Sequence, residues 1–87
     1  MKKYIVSFAE HQESDGLGSS VSNVFESKEE AYNRLKEEYD YLIDNINKSK
    51  ETYEFYENEL TDDSYYIEVS NIYGWEYYES HIVEIEV

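Results

Sequence analysis

Residues 27–46, Ser27-Lys28-Glu29-Glu30-Ala31 running on to Ile46 (SKEEAYNRLKEEYDYLIDNI), decide how the rest of the chain is read. The first four residues form a capping box. The Ser27 hydroxyl can accept the Glu30 N–H, and the Glu30 carboxylate can reach back to the Ser27 N–H. Glu29 and Glu30 also suit the positive end of a helix. Beyond the cap, apolar residues recur at Ala31, Leu35, Tyr39, Leu42 and Ile46, which is one stripe of an amphipathic helix. The same register continues through Tyr53, Tyr56 and Leu60, interrupted only at Ser49. Either one helix spans about 28–60, or Asn47-Lys48-Ser49-Lys50 divides the region in two. One helix of that length would extend for about 50 Å, too far for one small sheet to cover. The pattern therefore favours two consecutive helical segments.

A helix with one apolar stripe needs something to cover, and the flanks offer strands. Tyr4, Val6 and Phe8 alternate with Lys3, Ile5 and Ser7 across residues 3–9. Residues 10–20 read as a polar loop and 21–26 as a short returning strand. After Thr61-Asp62-Asp63-Ser64, Tyr65, Ile67 and Val69 share one face of a further strand. Asn71-Ile72-Tyr73-Gly74 supplies turn chemistry. From Trp75 to Val87 runs a β-rich segment with His81, Val83, Ile85 and Val87 on one face. The order β-β-α-(α)-β-β predicts an α+β domain: an antiparallel sheet of about four strands, with one long or two consecutive helices on one face. The expected core sets Ala31, Leu35, Leu42 and Ile46 against Tyr4, Val6, Phe8, Ile67, Val69, Val83 and Ile85. Residues 1–87 read as a single small acidic domain.

Composition narrows the function. The 87 residues carry 21 Asp and Glu against 7 Lys and Arg, a formal charge of −14. Direct nucleic-acid binding by phosphate neutralisation is excluded, and docking on an anionic membrane is disfavoured. No stretch approaches the roughly 20 apolar residues of a membrane span, and the expected compartment is the cytoplasm. With no cysteine, no thiol nucleophile or Cys-based zinc site is available. His11, in the polar loop, reads as a surface residue, and His81 as a partly buried one on the inward face of the last strand. Neither belongs to a ligand set of metal-site spacing. Gly16-Leu17-Gly18 lacks the remainder of a phosphate loop. No catalytic residue, cofactor or metal is expected.

The charge is unevenly placed. Residues 1–25 have a net charge of −1, 26–63 of −8 and 64–87 of −5. Pairs at i,i+4 (Glu30–Arg34, Lys36–Asp40, Asp44–Lys48, Lys50–Glu54) would use up most of the bases in the helical region. Glu30, Glu37, Asp44 and Glu51 recur every seven residues. Aromatic residues, 11 Tyr, 3 Phe and 1 Trp, are interleaved with the acid, most densely in Tyr53-Glu54-Phe55-Tyr56-Glu57 and Trp75-Glu76-Tyr77-Tyr78-Glu79. Tyr and Trp are favoured interface anchors and stack on Arg. The candidate partner-binding residues are therefore Glu30, Glu37, Asp40, Asp44, Glu51, Glu54, Tyr56, Glu57, Trp75, Glu76, Tyr78 and Glu79.

In general character, with its early strand, the Ser27–Ala31 helix start and the acidic ending Ile82-Val83-Glu84-Ile85-Glu86-Val87, the chain resembles the small acidic inhibitors of phages and mobile elements, including anti-CRISPR proteins and other DNA mimics. That resemblance implies non-enzymatic inhibition in a bacterial host cell. The partner would be a basic nucleic-acid-binding protein, a nuclease such as a CRISPR effector, whose DNA- or RNA-binding surface is occupied. The alternative is a protein–protein adaptor or homodimeric module using the Tyr-rich helical stripe, so that the chain is a monomer or a homodimer.

Overall fold

The computed structural model describes residues 1–12, 16–48, 54–71 and 74–87. The elements are β1 (Lys2–Gln12), β2 (Gly16–Val21), α1 (Lys28–Lys48), β3 (Glu54–Leu60), β4 (Ser64–Asn71) and β5 (Gly74–Glu86). The strands form one antiparallel sheet in the order β2-β1-β5-β4-β3. The architecture is α+β, with a single helix among the described residues, packed on one face of the sheet.

The helix starts where its cap requires. The Glu30 N–H donates to Ser27 Oγ at 3.2 Å, and the Ala31 N–H to the Ser27 carbonyl. Its apolar stripe is buried on the sheet. Ala31 and Leu35 are fully buried and Ile46 nearly so, against Val6, Tyr65, Ile67 and Val69. Tyr4, Phe8, Phe25, Tyr39, Leu42, Leu60, Tyr78 and Ile82 close around them. Among the described residues no helix is long and apolar enough to cross a membrane.

Four expectations need correction. First, α1 ends at Lys48, and 54–60 form a strand in place of a second helical segment. Of the apolar stripe Tyr53, Tyr56 and Leu60, only Leu60 keeps a place on the core side; Tyr56 falls in the register irregularity between Phe55 and Glu57, and Tyr53 lies outside the described residues. Leu60 and Asn58 lie opposite Tyr65 and Ile67 on the helix side, where Tyr39 Oη donates to Asn58 Oδ1. Pairing with β4 satisfies the backbone of this segment as well as a helix would, and it also places Leu60 on the core.

Second, residues 10–12 and 16–20 are strand, in place of a polar loop. The partner β5 is 13 residues long and pairs with β1 as far as Gln12↔Glu76. Backbone hydrogen bonds, not apolar side chains, extend the hairpin. Of the stretch 21–26, only Val21 is strand, as the end of β2. The rest contributes one bridge, Phe25 to Tyr4, and Ser22, whose N–H donates to the Val6 carbonyl at 2.9 Å.

Third, the last strand faces the other way. The register sets Val6 beside Ile82 and Ile5 beside Val83, so Ile82, Ser80 and Tyr78 point to the helix. Val83 is 39% exposed, and His81 is exposed rather than partly buried. Val83 and Ile85 are on the face without the helix and leave the core. The fourth change concerns His11, which is half-buried in β1 rather than a loop residue.

The core also contains a phenol. Tyr65 is 3% exposed, and burial pushes its ionisation upward, with the Glu38 charge adding to it. A raised folded-state pKa means that this contribution to stability is complete below the ordinary tyrosine range near pH 10. It is lost as pH rises above that range, where the unfolded chain ionises first. In an alkaline absorbance titration, Tyr65 should therefore ionise only together with loss of the native circular dichroism. The variant Tyr65→Phe should remove that linkage. For the helix, Leu35→Ala should cost about 3 kcal/mol in urea unfolding and Ser27→Ala about 1 kcal/mol.

Candidate protein-binding face

Because α1 covers only one side of the sheet, strand alternation sends a second set of side chains to an uncovered face. This face is built mostly from β5, with help from β1, β4 and β3. Gly74 opens β5 at φ 128°, a conformation that side-chain-bearing residues rarely adopt. From there Trp75, Tyr77, Glu79 and His81 point away from the helix, while Glu76, Tyr78 and Ser80 point toward it.

The register then assembles an aromatic cluster. His11 is paired with Tyr77, and its ring stacks on Tyr77 at 5.6 Å and lies 5.2 Å from Trp75. Trp75 and Tyr77 are 5.0 Å apart, and Tyr66 stacks on Tyr77 from β4 at 6.3 Å. Such separations suit offset or edge-on ring contacts. All four residues remain partly accessible.

Carboxylates flank these rings. Trp75 Nε1 donates to Glu68 Oε1 at 2.6 Å. Glu57 stands directly opposite Glu68, Glu59 opposite Tyr66, and Glu79 beside Tyr66 on the other side. Burial first, and then the charges of Glu68, Glu57 and Glu79, hold the Tyr66 phenol above its ordinary pKa. The part of that shift that comes from the three carboxylates reflects the negative potential of the face. No Lys or Arg occurs anywhere after Lys50, so β3, β4 and β5 contribute no base to it.

The twelve candidate residues do not form one surface. Glu57, Trp75 and Glu79 lie on the open face. Glu30, Glu37, Asp40 and Asp44 are exposed on α1, on the opposite side of the molecule. There the charge is partly compensated: Lys36 holds Asp40 at 2.7 Å and Lys48 holds Asp44 at 2.8 Å. Those hydrogen bonds raise both ammonium pKa values. Arg34 pairs with Glu38 rather than with Glu30, and its guanidinium lies over the Phe8 ring. Glu76, 7% exposed, accepts the Tyr78 hydroxyl at 3.0 Å on the helix side, so both are turned away from the open face. Glu54 and Tyr56 belong to edge strand β3. Glu51 lies outside the described residues, as does the Lys50 end of the expected Lys50–Glu54 pair.

Sequence reasoning missed His11, Tyr66, Glu68 and Tyr77. The available signal was the alternation Trp75/Tyr77/Glu79 against Glu76/Tyr78, which separates a run of adjacent aromatics into two faces. Among the described residues no three His, Asp or Glu side chains come together in a way that could hold a metal ion. No protein-family model matches the chain, and searches of curated proteins and of solved structures find no match.

Like charges directly opposite each other on neighbouring strands are destabilising, so the Glu57–Glu68 pair costs the fold something. Glu57→Lys should turn that repulsion into attraction and raise stability by about 0.5 kcal/mol, read from the midpoint of a urea transition at low salt.

Proposed function

We propose that the protein is a non-enzymatic inhibitor whose open sheet face occupies a basic, nucleic-acid-binding surface of a nuclease, of the kind found in CRISPR effectors. The observation that carries this reading is the composition of that face. A partly exposed His11–Trp75–Tyr77–Tyr66 cluster is bordered by Glu57, Glu59, Glu68 and Glu79, with no Lys or Arg among the strands β3–β5 that supply the carboxylates.

In this mechanism the carboxylates stand where phosphates would, and the rings take the place of stacked bases beside Arg side chains. The net charge accelerates encounter with a basic groove, and the aromatic patch supplies the desolvated anchor. The open face suits the role better than the helix, whose acids partly neutralise themselves with Lys36, Lys48 and Arg34. The apolar stripe of α1 packs on the chain's own sheet, which leaves it little to offer as an adaptor surface.

The test is a cleavage assay with purified CRISPR effector nucleases, in which the protein competes with target DNA. Inhibition should be overcome by excess DNA and should weaken at least tenfold between about 50 and about 500 mM salt. Trp75→Ala should weaken it about tenfold or more. Glu57→Lys should also weaken it, while making the protein more stable. Inhibition indifferent to salt and to both substitutions would rule out mimicry by this face.

A further inference from the structure

The two edges of the sheet are guarded differently. The outer edge, β3, carries Glu54, Glu57 and Glu59, and a register irregularity between Phe55 and Glu57. Charges and bulges are the usual devices that stop one edge from pairing with another. The opposite edge, β2, has neither. Residues 16–25, Gly-Leu-Gly-Ser-Ser-Val-Ser-Asn-Val-Phe, form the longest run without a charged residue in a chain of net charge −14. The β1–β2 register is unbroken, there is no proline, and Val21 is 67% exposed on the strand.

The backbone at this edge is oriented for pairing. The Ser22 N–H points inward to the Val6 carbonyl. Backbone groups alternate sides along a strand, so those of Val21, Ser19 and Leu17 point outward. The small residues Gly18, Ser19 and Ser20 of β2 leave space on both faces. One hollow, of about 430 Å³, lies on the helix side beside Gly18, Ser20 and Arg34. Another, of about 470 Å³, lies on the open side beside Ser19, Val21 and His81.

We infer that β2 is a self-association edge, where a second copy of this chain adds antiparallel through its own β2. A two-fold axis at Ser19 sets Ser19 against Ser19 and Leu17 against Val21 of the other copy. The outward groups of all three residues then find partners. The occupant is a second copy because the edge is self-complementary and uncharged, whereas a basic segment would find its counter-charges elsewhere on the molecule. An axis normal to the sheet keeps both helices on one side. The pairing makes a ten-stranded sheet with the two open faces side by side.

This assembly brings together two chains of like charge, so its salt dependence is opposite in sign to that of the proposed inhibition. Light scattering after size exclusion, and sedimentation equilibrium, should show a dimer that tightens about tenfold or more from about 50 to about 500 mM salt. Ser19→Pro removes an outward N–H but no bond within the chain, and proline is tolerated on edge strands. It should give a monomer with an unchanged urea midpoint. Ser19→Glu sets two carboxylates face to face across the axis and should also give a monomer. Ser20→Pro, which removes an inward bond, should lower stability instead. A wild-type chain that stays monomeric at about 0.5 mM in high salt would overturn the inference. So would a dimer that survives both Ser19 substitutions. The nuclease assay does not depend on either result.

Discussion

Docking of Ala31, Leu35 and Ile46 onto Val6, Ile67 and Val69 is the contact on which the rest of the molecule depends. It fixes which face of each strand is inside, and in a sheet a choice made for one strand is imposed on its neighbours by register. Once Val6 faces the helix, Ile82 must as well, and Ile5, Val83 and the Trp75–Tyr77 pair are left outside. A helix of 21 residues, about 31 Å long, serves one face only. The uncovered face follows directly from having a single helix.

That constraint explains why the acid is arranged as it is. Carboxylates on α1 have bases within one helical turn, and three of those pairs form. Among the described residues, Glu57, Glu59, Glu68 and Glu79 on the open face form no ion pair with Lys or Arg, and Glu57 and Glu68 stand directly opposed. A surface shaped only by solubility would place charges apart. Here they are gathered around a cluster of partly buried rings. The stability lost to repulsion is small beside what the buried stripe contributes.

The helix was legible in the sequence because its signals are local. The Ser27 cap and the stripe from Ala31 to Ile46 depend on neighbours within four residues. Strands β1, β4 and β5 were legible from alternation. The facing of β5 was not, because Val83 and Ile85 are more apolar than Ser80 and Tyr78, yet Ser80 is fully buried, with its hydroxyl donating to the Ser7 carbonyl at 2.8 Å. Hydrogen bonding let a polar residue occupy a core position. For β3, the spacing of Tyr53, Tyr56 and Leu60 reads as helical, and the strand is selected only by its pairing with β4, which a local reading does not contain. The candidate site shared this weakness: Glu57, Trp75 and Glu79 were recognised as acid and aromatic, but which of their neighbours share a face is set by pairings across the sheet.

The two strands of the longest pairing, β1 and β5, are also the two most distant in the chain. Lys2 is matched with Glu86, and the amino group of Met1 donates to the Val87 carbonyl at 3.0 Å. Closing a loop of that size costs about 4 kcal/mol of chain entropy, whereas the β1–β2 and β4–β5 hairpins close short ones. The sheet is thus two local hairpin systems, β2-β1 and β3-β4-β5, joined along a single long seam. Neither half presents the His11–Trp75–Tyr77 cluster, which straddles that seam. Tyr66, Trp75 and Tyr77 meet within the β4–β5 hairpin, and the patch is completed by His11 through the most non-local and slowest class of contact in the fold. A chain that has not yet joined its ends has the acid and three of the rings, but lacks the imidazole that packs against Tyr77 and Trp75.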